Sequence, residues 1–243
     1  MNINLPKENF YVLENENFCV YAMPSLKNIA DESFKHLNEN KKRILDFFEL
    51  KNFRKSQIIQ FDNRDDFIKF ALNTGYKYHP HLEYGRGIFL RGLIILMVDL
   101  KIIKNPIIEV PEYCVHEFVH IINREKIYNK RAAWIDEGIA LNITNHLEFS
   151  ELKNHDKFIE FIKNEILTIK ELPTINDLEP YGIDFSNEAY NTYYLFYFSV
   201  RFLLESENKK RILEILKDYD LSIKIGKTVL QDAVQYYKNK YDL

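Results

Sequence analysis

Glycine and proline are scarce, seven of each in 243 residues, which excludes Gly/Pro-rich linkers and loop-dominated architectures and leaves regular elements to fill most of the chain. Only two cysteines occur, Cys19 and Cys114, enough for one bridge at most, so a disulfide scaffold is excluded and both read as buried free thiols. Long apolar runs are missing as well. The longest, GLIILMV at 92–98, falls far short of the roughly 20 residues a membrane span needs. No sign of charge dominates: 33 basic against 36 acidic residues, interspersed, leave a formal charge of −3 and no basic footprint for nucleic acid. The opening stretch MNINLPKENFYVLENENFCVY lacks a basic start followed by an apolar core, so the expectation is a cytoplasmic protein without a signal peptide.

What is present is enough apolar material, 46% of residues, to bury a substantial core. Residues 25–50 carry a helical pattern with Ser25 as the expected N-cap, and 55–61 reads as a strand. A short helix is expected next, capped by Asp62 with Asp65 and Asp66 in its first turn. Two β-rich runs in GRGIFLRGLIILMV, 85–98, broken at Arg91-Gly92, predict a hairpin. After Pro106 almost everything reads helical, with expected helices at 111–126, 131–147, 150–168, 186–205, 207–218 and 224–240. Strands and helices first, then helices alone, predict an α+β fold. One domain is expected, made of an α/β part over 1–126 and a helical part over 127–243.

The polar residues of VHEFVHII, 115–122, stand out against their apolar surroundings. His116 and His120, four apart, share a helical face with backbones about 6 Å apart, and can converge on one ion. Zinc suits them: it binds imidazole nitrogen and, in catalytic sites, takes three protein ligands and leaves a position for water. Glu117, roughly 100° further round the helix, flanks that face, where a carboxylate reaches the water without occupying the metal. Pro111 is expected in the first turn of this helix. Taken alone, the same spacing also fits hydrogen-bonded core histidines.

A second segment, RAAWIDEGIALNITNH, is apolar round most of its helical circumference yet carries Asp136-Glu137 in its middle. A carboxylate buried there without a partner is costly, and a cation offsets that cost, which makes Glu137 the natural third ligand. Gly138 inside a helix costs about 1 kcal/mol relative to alanine and is explained where another helix must come very close. The bland alternative is an amphipathic helix with an exposed acidic pair.

Together, HEFVH and WIDEGIA, with sixteen residues between His120 and Glu137, resemble the gluzincin metallopeptidases, in which HExxH is followed on the next helix by a glutamate ligand in a W-x-x-E-G-[LI]-A stretch. The matched motifs span about residues 113–141. The resemblance implies a zincin-like fold, a Zn2+ cofactor held by His116, His120 and Glu137, Glu117 as general base, and a peptide or protein substrate. It also implies an oxyanion donor on a later helix. EAYNTYYLFYFSVRFL, 188–203, resembles the segment where a tyrosine opens such a helix, with Tyr190 as the choice and Tyr193 and Tyr194 as competitors. The strand at 93–98 stands where zincins place the edge strand that pairs with substrate, although its unbroken apolar character equally fits a buried interior strand.

Departures from the family are visible too. Leu141 stands where many gluzincins carry an acidic residue bonding a ligand histidine, so Asp136, Asn142 or a backbone carbonyl must supply that support. No acidic amine-capturing motif occurs in GRGIFLRGLIILM, which favours an endopeptidase over an aminopeptidase. A metzincin would need glycine at 123 and histidine at 126, where this chain has Asn123 and Lys126. A deformylase would need an upstream cysteine ligand, which neither Cys19 nor Cys114 resembles. His79-Pro80-His81 reads as a loop. Two other readings stay open: an inactive zincin-fold binding protein, and a metal-dependent hydrolase of a non-peptide amide.

Overall fold

The computed structural model describes residues 9–90, 92–126, 130–178, 186–187 and 190–243. It has an α+β fold that divides into two compact units, Met1–Ile122 and Asn123–Leu243.

The first unit is built on a five-stranded open sheet. Strands β1 (Tyr11–Glu14), β2 (Phe18–Ala22), β3 (Ser56–Phe61), β4 (Gly87–Leu90) and β5 (Leu93–Met97) lie in the order β1-β2-β3-β5-β4. The pairs β2–β3 and β3–β5 are parallel; β1 and β4 join antiparallel as the two edges. Helices α1 (Lys27–Phe48), α2 (Arg64–Asn73), α3 (His81–Tyr84) and α4 (Pro106–Lys126) accompany the sheet. Alternation along β2 and β3 assigns the two faces. Cys19, Tyr21, Ile59 and Phe61 point into one apolar cluster with Phe67 and Ala71 of α2. The opposite face receives α1 and α4: Phe18 meets Phe118 with ring centroids 5.0 Å apart, and Gln60 donates to Ser33 at 2.9 Å and to the Cys114 sulfur at 3.5 Å. Covering both faces is why β5 reads as the unbroken run LIILM.

The β4–β5 hairpin forms as predicted, with Gly92 at φ 87° supplying the left-handed turn that disfavours side chains. It places 93–98 in the interior of the sheet, between β3 and β4, so the exposed edge is β4 and not the strand singled out from the sequence. Arg64 of α2 donates to the carbonyls of Leu82 (3.1 Å) and Gly85, fixing the approach to β4.

Three local expectations are corrected by cap chemistry. α1 is entered through a 3-10 turn at Pro24–Leu26, and Ser25, instead of capping it, donates to Asp62. With Asp62 so engaged, Asn63 caps α2, accepting from the amides of Asp65 and Asp66. α4 starts at Pro106, five residues before Pro111. Asn105 takes the amides of Ile108 and Glu109 on its carbonyl and gives its own amide to the Glu109 carboxylate, a reciprocal cap that starts the helix early. Pro111 has no amide to offer the Ile107 carbonyl, which belongs to an exposed residue.

The second unit is helical: α5 (Ala133–Ile143), α6 (Leu147–Glu151), α7 (His155–Phe161) with a π-helical turn at Ile162–Ile166, α8 (Thr192–Ser206), α9 (Lys209–Lys217), α10 (Tyr219–Gly226) and α11 (Val229–Tyr241), plus the two-residue strands β6 (Ser186–Asn187) and β7 (Tyr190–Asn191). The helix expected at 186–205 begins only at Thr192, because Asn191 caps it through the Tyr193 amide. Aromatic rings hold α7, α8 and α11 together, with Phe158 and Phe198 each 5.1 Å from Tyr237. Among the described residues no helix is long and apolar enough to cross a membrane.

Candidate metal centre

α4 is almost wholly enclosed. From Val110 to Asn123, only Tyr113 and Glu117 escape full burial, and they stand one turn apart on the same line. His116 and His120, each 5% exposed, lie just beneath that line. Helical geometry alone brings the histidines together, and their Nε2 atoms stand 3.1 Å apart with the rings at 77°. Two nitrogens bound at about 2.0–2.1 Å on a tetrahedral ion would be roughly 3.3 Å apart, so the pair has the separation one ion requires.

Together with Glu137 of α5 the histidines form a group that could hold a metal ion. Ligand atoms of His116, His120 and Glu137 all lie within 4.8 Å of one another, and no other such group occurs among the described residues. The donor set, two imidazoles and a carboxylate with one position to spare, fits zinc chemistry.

Glu117 does not belong to this triad. A Cβ built on Gly87 would stand 3.6 Å from its Oε1, so the carboxylate sits over the edge strand β4. Tyr113, one turn earlier, has the Arg86 guanidinium 5.9 Å from its ring centre. Burial raises the Tyr113 hydroxyl pKa, with Arg86 acting in the opposite direction. Gly87, Arg86 and Tyr113 are neighbours that sequence reasoning missed; only the i−4 spacing of Tyr113 from Glu117 carried a signal.

Asp136, next to Glu137, is completely buried. Its carboxylate pairs with Arg131 at 2.8 Å and accepts from the Asn123 side chain. This overturns the alternative of an exposed acidic pair. Asn142, the other support named from the sequence, donates to the carbonyls of Gly138 (2.8 Å) and Tyr197 (3.0 Å), bridging α5 and α8. Gly138 is where those helices touch: an added Cβ would meet the Phe196 carbonyl oxygen at 2.7 Å. Close approach is thus the reason for the glycine, as its position in the helical pattern implied.

The backbone of Tyr190 lies in β7, before α8, and its side chain is outside the described residues. Tyr194 packs on Phe149 and Phe161 with centroids 5.6 and 5.3 Å apart, and Tyr193 lies 6.4 Å from Phe196. Cys114, two residues before His116, is buried against Gln60, and burial pushes its thiol up to about 12, outside the range of a metal-binding thiolate at neutral pH.

Compared with known proteins, the chain matches no family model and no curated protein.

Proposed function

We propose that this protein is a zinc-dependent peptidase of zincin-like fold, acting within peptide chains. The observation that carries the reading is the convergence of His116, His120 and Glu137 ligand atoms within 4.8 Å, beside a half-exposed Glu117. His116 and His120 would bind through Nε2 and Glu137 through a carboxylate oxygen. When bound, zinc lowers the pKa of a water and polarises a carbonyl.

Glu117, flanking the histidine face, takes the water's proton and later delivers it to the departing amine. Its place over β4 gives the substrate a docking edge. A peptide added antiparallel or parallel to that edge by main-chain hydrogen bonds would run its scissile carbonyl past the Glu117 carboxylate, and Gly87 keeps the approach free of a side chain. The oxyanion donor expected at Tyr190 remains part of this proposal.

The test compares metal content and new peptide N-termini for the wild type, His116→Ala and Glu117→Gln. Expected are one zinc per chain in the wild type and Glu117→Gln, loss of zinc in His116→Ala, and cleavage only by the wild type. Stoichiometric zinc in His116→Ala would refute the ligand assignment. Absence of any difference in new N-termini between the wild type and Glu117→Gln would transfer the reading to the non-peptidase alternatives.

A further inference from the structure

Four of the seven large apolar side chains exposed among the described residues fall within nine consecutive positions: Leu100 (48%), Ile102 (64%), Ile107 (45%) and Ile108 (53%). They stand on the turn that links β5 to α4 and on the first turn of α4 itself. The turn is well built. The Asp99 carbonyl takes the amides of Ile102 and Ile103, the Asp99 side chain takes the amide of Lys101 at 2.9 Å, and the reciprocal Asn105–Glu109 cap closes the other end. Ile103 and Val110 anchor it inward. A rigid support therefore holds four aliphatic side chains outward, an arrangement that monomeric surfaces keep for contact with something apolar.

Charge identifies the contact. Lys101 and Lys104 are exposed on the same turn, between the aliphatic positions. The nearby acids close the ends of the turn: Asp99 and Glu109 are half-buried, with their carboxylates bonded to the backbone amides of Lys101 and Asn105, and Asp99 also acts on the Arg64 charge. The exposed side chains of the turn are thus mainly aliphatic, with two lysines set among them. We infer that the turn over residues 99–108 docks reversibly on an anionic lipid surface, its aliphatic side chains entering the interfacial layer and Lys101 and Lys104 meeting headgroup phosphates. This inference is independent of the metal centre.

The expected strength follows from the chemistry. Four half-exposed aliphatic side chains present less hydrocarbon than one acyl chain, and one acyl chain by itself holds a protein at a bilayer only marginally. Each lysine near an anionic surface adds about fivefold to partitioning at moderate salt. Binding should therefore need anionic lipid and fade as salt rises.

The test is co-sedimentation of the full chain with vesicles of phosphatidylcholine alone and with 30–40% phosphatidylserine (roughly the anionic content needed for a strong surface potential). The wild type is expected to sediment with the anionic vesicles, at least tenfold more than with neutral ones. Ile102→Asp and, separately, Ile107→Asp should each lose binding by about tenfold or more, and Lys101→Gln/Lys104→Gln by about twentyfold. All four positions are exposed, so unchanged far-UV circular dichroism is expected to accompany these losses. Failure of the wild type to sediment with anionic vesicles, or equal sedimentation of Ile102→Asp, would overturn the inference. So would self-association that Ile102→Asp abolishes, since the patch would then belong to a second copy of the chain.

Discussion

Replacing Arg131 with Met tests the most demanding electrostatic feature of the second unit. The Asp136 carboxylate is wholly buried, its cationic partner is Arg131 at 2.8 Å, and that guanidinium is itself only 13% exposed. Removing the cation leaves a buried carboxylate charge in a low-dielectric interior, with the Asn123 amide still donating to it. Breaking a buried pair from one side costs about 3–5 kcal/mol, a large part of the roughly 5–15 kcal/mol that holds a domain folded. For a unit of about 120 residues this corresponds to a fall of roughly 12–20 °C in Tm. Trp134, the single tryptophan, is fully buried on α5 two positions before Asp136, so its fluorescence follows the unfolding of this unit and no other. Urea titrations of Arg131→Met, Asp136→Leu and the double variant then form a cycle. The double variant should recover most of the loss, because no unpaired charge is left, giving a coupling of at least about 2 kcal/mol. Additive losses would refute the assignment of this pair as a mutually dependent buried interaction.

Gly138→Ala should destabilise by about 1–3 kcal/mol in the same fluorescence assay although alanine favours helix, because the new methyl meets the Phe196 backbone oxygen at 2.7 Å; a gain in stability would contradict the close approach of α5 and α8. For Glu205, burial raises the pKa, but hydrogen bonds and charge from Lys240 and Arg201 outweigh it and hold the group below the usual carboxylate range. A depressed folded-state value means that its contribution is present above the unfolded pKa of about 4.3 and is lost as pH falls through the folded one. Glu205→Gln should therefore lower stability at pH 7 and flatten the acid limb of the stability curve, and an unchanged acid limb would count against it. Both cysteines are buried, and Cys114 is held up to about 12. A thiol reagent at pH 8 should find no fast-reacting thiol in the folded protein and two after denaturation; one rapid reaction before unfolding would refute this.

Local periodicity carried much of this structure because short-range geometry decides it. The strands β1 and β2 were not legible in the sequence, FCVYA being buried at every position, but the i, i+4 spacing brings His116 and His120 together in any α-helix, and Gly92 marks the hairpin turn. The α+β order of elements, and the close contact at Gly138, were legible for the same reason. Element ends were less so. Whether Ser25, Asp62 or Asn63 acts as a cap depends on which competing partner each side chain finds, and Ser25 and Asp62 found each other across 37 positions. The interior place of β5 follows from β4 folding back on it, a pairing that gives both strands the same apolar signature in the sequence. Likewise, the helical pattern marked Asp136 and Glu137 as two costly carboxylates and singled out Glu137 as the ligand, but it did not name a partner for Asp136. Tertiary packing supplied that partner, giving Asp136 to Arg131 and Asn123. Spacing along the chain determines which side chains share a helical face, but only the folding of distant segments decides which charge meets which partner, because that energy depends on three-dimensional distance and burial.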